Sequence, residues 1–263
     1  MPRTGFLKKS PAHLIFFLLA AMQARAVTVA TVGDSLADAV YLGLKLQPDL
    51  LRKNGIKLAR WSRPKIGLTR TDYFDYTAWL RDTADLGSVD FCIVELGAND
   101  LQSIAVTDTK PADTKHPQWL RVGTDAWQRA YADRVQALVQ TLKPLRCGNV
   151  VWLLQPPYQK NKYLSQYHVM INALQLAGSA SGAAAFEIDA GVDDYSPDGV
   201  HPSKDFCFKL GRAVAHLFAA WPQPFAGTNC AACHASPGLL PERLPDIAPL
   251  IPHPARPPAV SNP

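Results

Sequence analysis

Five short apolar runs punctuate the chain between residues 27 and 221, and a helical pattern follows each of them. The runs 27–32, 56–61, 91–96, 150–154 and 185–188 are rich in β-branched or bulky apolar residues and are bounded by Gly, Asp, Asn or Pro, as buried strands are. Helices are expected over 36–51, 76–84, 127–142, 162–177 and 205–221. In the third of these, Tyr131, Val135, Leu138 and Leu142 recur at spacings of four, three and four, which gathers them on one helical face. Strict alternation of strand and helix predicts an α/β domain: a five-stranded parallel sheet with helices on both faces, a three-layer α/β/α sandwich. A length of 263 residues, 48% of them apolar, suffices for one such core and leaves little for a second.

The two ends read differently from this middle. Residues 1–26 resemble a secretory signal: Arg3, Lys8 and Lys9 form a basic start, a short apolar run follows over 14–21, and Ala24-Arg25-Ala26 is a small-x-small cleavage site. The apolar run falls short of the ~20 residues that a bilayer core requires, so no stable span is expected after cleavage, an uncleaved signal anchor being the alternative. The segment carries four cations and no acid, so the formal net charge of +5 drops to +1 without it. No run of Lys and Arg remains to track a phosphate backbone, which argues against nucleic acid as a partner. Residues 222–263 hold 11 of the 22 prolines and are expected to form an extended tail beyond the domain at 27–221.

Parallel sheets place ligands beyond the carboxyl ends of their strands, where the strand order reverses. Gly33-Asp34-Ser35-Leu36 follows the first strand, Ser62 to Gly67 the second, Gly97-Ala98-Asn99-Asp100 the third, and Asp198-Gly199-Val200-His201 precedes the last helix. A serine hydroxyl needs a base to take its proton and gains from standing where a helix begins; Ser35 stands there, although a plain helix cap would use the same residue. Asp198-x-x-His201 supplies an imidazole with a carboxylate on the same tight turn, the pairing that fixes the tautomer and steadies the imidazolium; a surface Asp-Gly turn is the simpler alternative. Gly67 offers a backbone N–H with no Cβ in the way and Asn99 a side-chain amide, two groups suited to an oxyanion, though each also fits an ordinary turn.

Taken together these four blocks resemble the conserved blocks of the SGNH (GDSL) hydrolases, in the same order, over roughly residues 27–221. The stretches 32–44 and 62–76 are similar more particularly to a bacterial cell-envelope branch of that family. The resemblance implies a flavodoxin-like α/β/α fold and ester hydrolysis without a metal. It further implies Ser35 as nucleophile, Ser35, Gly67 and Asn99 as oxyanion donors, His201 as base and Asp198 as its orienting partner. No Gly-x-Ser-x-Gly elbow occurs, which argues against an α/β-hydrolase.

The expected substrate is a small ester or an acylated carbohydrate, O-acetyl esters first; transfer to a sugar hydroxyl would use the same residues. The long segment 101–124, with Lys110, Lys115, His116 and Trp119, is expected to wall the cleft, and Arg70, Asp72 and Tyr73 to flank its other side. An exported location, periplasmic or secreted, permits disulfides. Cys230-x-x-Cys233-His234 is the pattern of covalent haem c attachment, with a disulfide or redox-active pair as the alternative; ester hydrolysis itself needs no cofactor. A haem-linked binding protein on a hydrolase scaffold is therefore a third reading. Cys92 is expected as a buried thiol, while Cys147 and Cys207 can pair or stay free.

Overall fold

The computed structural model describes residues 26–83, 87, 89–106, 118–145, 147–158, 160–180, 182–220 and 250–252. The expected export signal, apart from Ala26, lies outside these residues, as do Lys110, Lys115, His116, Cys230, Cys233, His234 and most of the proline-rich tail.

All five expected strands form and pair in parallel. They are β1 (Val27–Gly33), β2 (Ile56–Arg60), β3 (Val89–Glu95), β6 (Cys147–Leu154) and β7 (Ala183–Ile188). The order across the sheet is β2-β1-β3-β6-β7, so the chain reverses its direction of winding between β1 and β3. A sixth strand, β8 (Leu250–Pro252), comes from the proline-rich tail and pairs antiparallel with β7 at the sheet's edge. An edge position is where a strand tolerates Pro252, because the missing N–H need not serve a second neighbour. Of the expected tail, residues 250–252 are among those described, and they add an edge strand to the sheet. A small antiparallel pair, β4 (Ile104–Ala105) with β5 (Trp119–Leu120), stands apart within the long segment after β3.

Helices cover both faces: α1 (Ser35–Lys45), α2 (Pro48–Lys53), α3 (Tyr76–Asp82), α4 (Asp125–Leu145), α5 (Lys162–Ser179) and α6 (Lys204–Ala220). The single helix expected over 36–51 is two. Pro48 removes an N–H and disfavours helical geometry at the residue before it, and Gln47 accordingly takes φ −113° and ψ 48°. The stripe Tyr131, Val135, Leu138 and Leu142 of α4 is buried as its spacing requires. It joins one continuous core with Val29, Phe91, Val94, Trp152 and Leu153 of the central strands.

The cysteine expectation is corrected. Cys92 of β3 is bonded to Cys147 of β6, and Cys207 is the free cysteine among the described residues. The expectation failed because pairing depends on strand order, which brings β3 beside β6 across 55 residues of sequence.

Candidate active site

The reversal of strand order leaves a crevice beyond β1 and β3, and the expected blocks converge on it. Asp34 caps α1 by accepting the Leu36 N–H at 2.8 Å, which puts Ser35 at the first helical position. The N–H of such a position has no partner within its own helix, so it is available to an oxyanion. From the far end of the fold, His201 Nε2 lies 2.9 Å from Ser35 Oγ. Its other ring nitrogen, Nδ1, lies 2.6 Å from Asp198 Oδ2.

The turn that carries Asp198 and His201 is closed upon itself. The Ser196 N–H donates to the His201 carbonyl at 2.8 Å, and Tyr195 and Pro202 form a bridge across its base. Gly199 sits at its tip with φ +69°, a left-handed conformation that favours glycine. Asp198 Oδ1 accepts the N–H groups of Val200 and His201 at 2.9 and 3.0 Å, leaving Oδ2 for the imidazole. Partial burial pushes the Asp198 carboxyl up, but these amides and the His201 ring outweigh it, and the group is held below the usual carboxylate range. Asp198 is therefore an acceptor near neutral pH, and His201 Nδ1 is the donor in that bond.

The two expected oxyanion donors rest on buried acids. Asn99 Nδ2 donates to Asp34 Oδ2 at 3.1 Å, which uses one of its two N–H bonds. Behind Gly67 stands Asp100, wholly buried. Its Oδ1 accepts the N–H groups of Leu68 and Thr69, the latter at 3.2 Å, and its Oδ2 accepts the Tyr131 hydroxyl at 3.0 Å. Arg134 completes the clamp by donating Nη1 to the Leu68 and Thr69 carbonyls at 2.6 and 2.8 Å. A Cβ on Gly67 would fall 2.2 Å from Asp100 Oδ1. Glycine is needed there to let the carboxylate in from behind, a second reason beside the access for ligand expected from sequence.

Burial lifts the Asp34 carboxyl to about 7, with the Leu36 amide working against it and Asp100 adding to it. Asp100 is raised to about 6 by burial, opposed by its bonds to Tyr131, Leu68 and Thr69. Glu95, at the end of β3, is also driven well above its usual range by burial and by Asp34; Gln155 Nε2 donates to its Oε1 at 2.9 Å. Sequence reasoning missed the supporting roles of Asp34, Asp100, Tyr131, Arg134 and Gln155. A partial signal existed, since an acid adjoins both Ser35 and Asn99 in the chain.

A three-layer α/β/α domain that joins serine, histidine and aspartate at the carboxyl end of its sheet defines the structural class. The chain belongs to the family described as "Protein of unknown function (DUF459)", whose model matches residues 28–201. No curated protein is significantly similar to it. Among solved structures, it is similar to a protein provisionally assigned as an SGNH hydrolase from Slackia heliotrinireducens, at 19% identity and a TM-score of 0.44, covering 74% of this chain and 98% of that one. It is also similar to the psychrotrophic esterase EstA from Pseudoalteromonas sp., at 18% identity and a TM-score of 0.43, covering 68% and 88% of the two chains. A third likeness is BT4096, a gut microbial diltiazem-metabolizing enzyme, at 12% identity and a TM-score of 0.44 over 74% of this chain and 45% of that one. Likenesses this loose carry no weight in reading the site, which stands on its own geometry.

Proposed function

We propose that the protein is a serine esterase of the SGNH type, acting on carboxylic esters with O-acetyl groups on cell-envelope carbohydrate foremost. The observation that carries this reading is the unbroken chain from Ser35 Oγ through the His201 ring to Asp198, at 2.9 and 2.6 Å. Ser35 Oγ attacks the carbonyl carbon as His201 Nε2 takes its proton. The carbonyl electrons move onto oxygen, where the Ser35 and Gly67 backbone N–H groups and the Asn99 amide receive them. His201 then gives its proton to the departing alcohol as the C–O bond breaks, leaving an acyl-serine. Water, deprotonated by His201, repeats the sequence and frees the acid with the serine restored.

A sugar hydroxyl in place of that water would give acyl transfer, so assays with and without a glycan acceptor separate the two outcomes. Export to an oxidising compartment is part of the proposal, supported by the Cys92–Cys147 disulfide. Hydrolysis of 4-nitrophenyl acetate tests the core of it. Ser35→Ala should reduce turnover by about 10⁴-fold or more, and unchanged turnover would end the reading.

A further inference from the structure

Beside the oxyanion donors lies a small shelf that the reaction itself does not use. Gln102 Nε2 donates to the Asn99 carbonyl at 2.7 Å, and Gln102 Oε1 accepts Arg70 Nη1 at 3.3 Å. Arg70 follows Gly67 by three residues, and its guanidinium lies over the Trp119 ring, 5.6 Å from the centroid. Its remaining groups, Nε and Nη2, grip the Asp72 carboxylate at 2.8 and 2.9 Å. Trp119 begins β5 and is 43% exposed, unlike Trp127 and Trp152, which are buried in the core. A half-exposed indole with a cation over its ring, linked through two side chains to the residue of a proposed oxyanion donor, is a ready-made surface for part of a ligand.

The chemistry of the shelf selects the ligand. A pyranose presents C–H groups on its faces and, around its rim, hydroxyls that both donate and accept. An aromatic plane bordered by Arg70 donors, Asp72 acceptors and the two-sided amide of Gln102 matches that pattern. A phosphate or carboxylate would gain little here, because the Arg70 charge is already answered by a bidentate carboxylate.

We propose that Trp119, Arg70, Asp72 and Gln102 form a saccharide subsite that seats the sugar bearing the ester. The inference rests on the esterase reading of Ser35 and sharpens its substrate class. It is tested by comparing acetylated xylotetraose with 4-nitrophenyl acetate in the full chain and in Trp119→Ala and Trp119→Phe. Trp119→Ala should raise KM for the acetylated sugar by about 5- to 10-fold with kcat held, leave the aryl ester untouched, and be largely rescued by Trp119→Phe. An equal loss on both esters, or no loss on the sugar, would overturn the subsite.

Binding separates this from failure of the esterase reading. In Ser35→Ala, calorimetry against unacetylated xylo-, cello-, chito- and malto-tetraose should show saturable binding of at least one sugar that Trp119→Ala weakens. Binding without turnover by the wild type would retain the subsite and refute the esterase. The absence of binding by every sugar would refute the subsite and leave the esterase standing.

Discussion

The two halves of the crevice are built on opposite principles. On the side of the proposed oxyanion, the donor groups are backed by Asp34 and Asp100, two carboxyls buried in the core. On the proton-transfer side, His201 and Asp198 stand on a surface turn with side chains 46% and 50% exposed. Burying an acid costs free energy, so the first half gives up stability to fix its donors before substrate arrives. An exposed turn costs little and leaves the imidazole in contact with solvent, where it can exchange protons between half-reactions. If the proposed reaction holds, preorganisation is concentrated where charge would develop and freedom is kept where protons would move.

This contrast can be broken most forcefully at His201. His201→Ala should lower kcat by about 10⁴-fold. Stability should move by no more than about 0.5 kcal/mol, because the side chain is exposed. A large drop in the denaturant midpoint would show that the turn belongs to the rigid half after all.

Asp100→Ala should do the reverse. It orphans the Leu68 and Thr69 amides and the Tyr131 hydroxyl in the core, at a cost of about 1–3 kcal/mol for each group left without a partner. Urea unfolding should register a loss of several kcal/mol. The same loosening of the Gly67 loop should cost kcat up to about 100-fold. A folded, fully active variant would show that the loop needs no clamp.

Asp34→Asn is the finer probe. The native fold keeps protons on Asp34 and Asp100 that an unfolded chain releases near 3.8, so stability should fall as pH rises from about 4 towards about 7 and level beyond it. An amide in place of Asp34 cannot ionise and should flatten that slope in a series of thermal melts. It can accept from Leu36 or from Asn99 but not as well from both, so kcat should drop by about 10-fold, short of the loss from deleting a donor outright. An unaltered slope would mean that Asp34 is ionised in the native fold throughout.

Much of this was legible from residue order. Strands and helices were readable because a parallel sheet buried on both faces demands continuous apolar runs, and the α4 stripe shows its face through spacing alone. Ser35, Asp198 and His201 were readable because turn chemistry, at the end of β1 and ahead of α6, is local. Pro48 was visible too, but the expected helix ran across it. What stayed hidden is non-local. Asp100 serves amides 31 and 32 residues away, and the Cys92–Cys147 bond depends on which strands become neighbours. Strand β8 was masked by the very prolines that confine it to an edge. Residue type alone does not distinguish a buried acid that braces a loop from a capping residue on a turn.

On this reading, the Ser35 hydroxyl is activated by its meeting with His201. Treatment of the intact protein with an alkyl fluorophosphonate, followed by peptide mass spectrometry, tests it most directly. A single phosphonyl adduct on Ser35, with loss of fluoride, and its disappearance in His201→Ala are the expected result. An unmodified Ser35, or equal labelling with and without the imidazole, would contradict it.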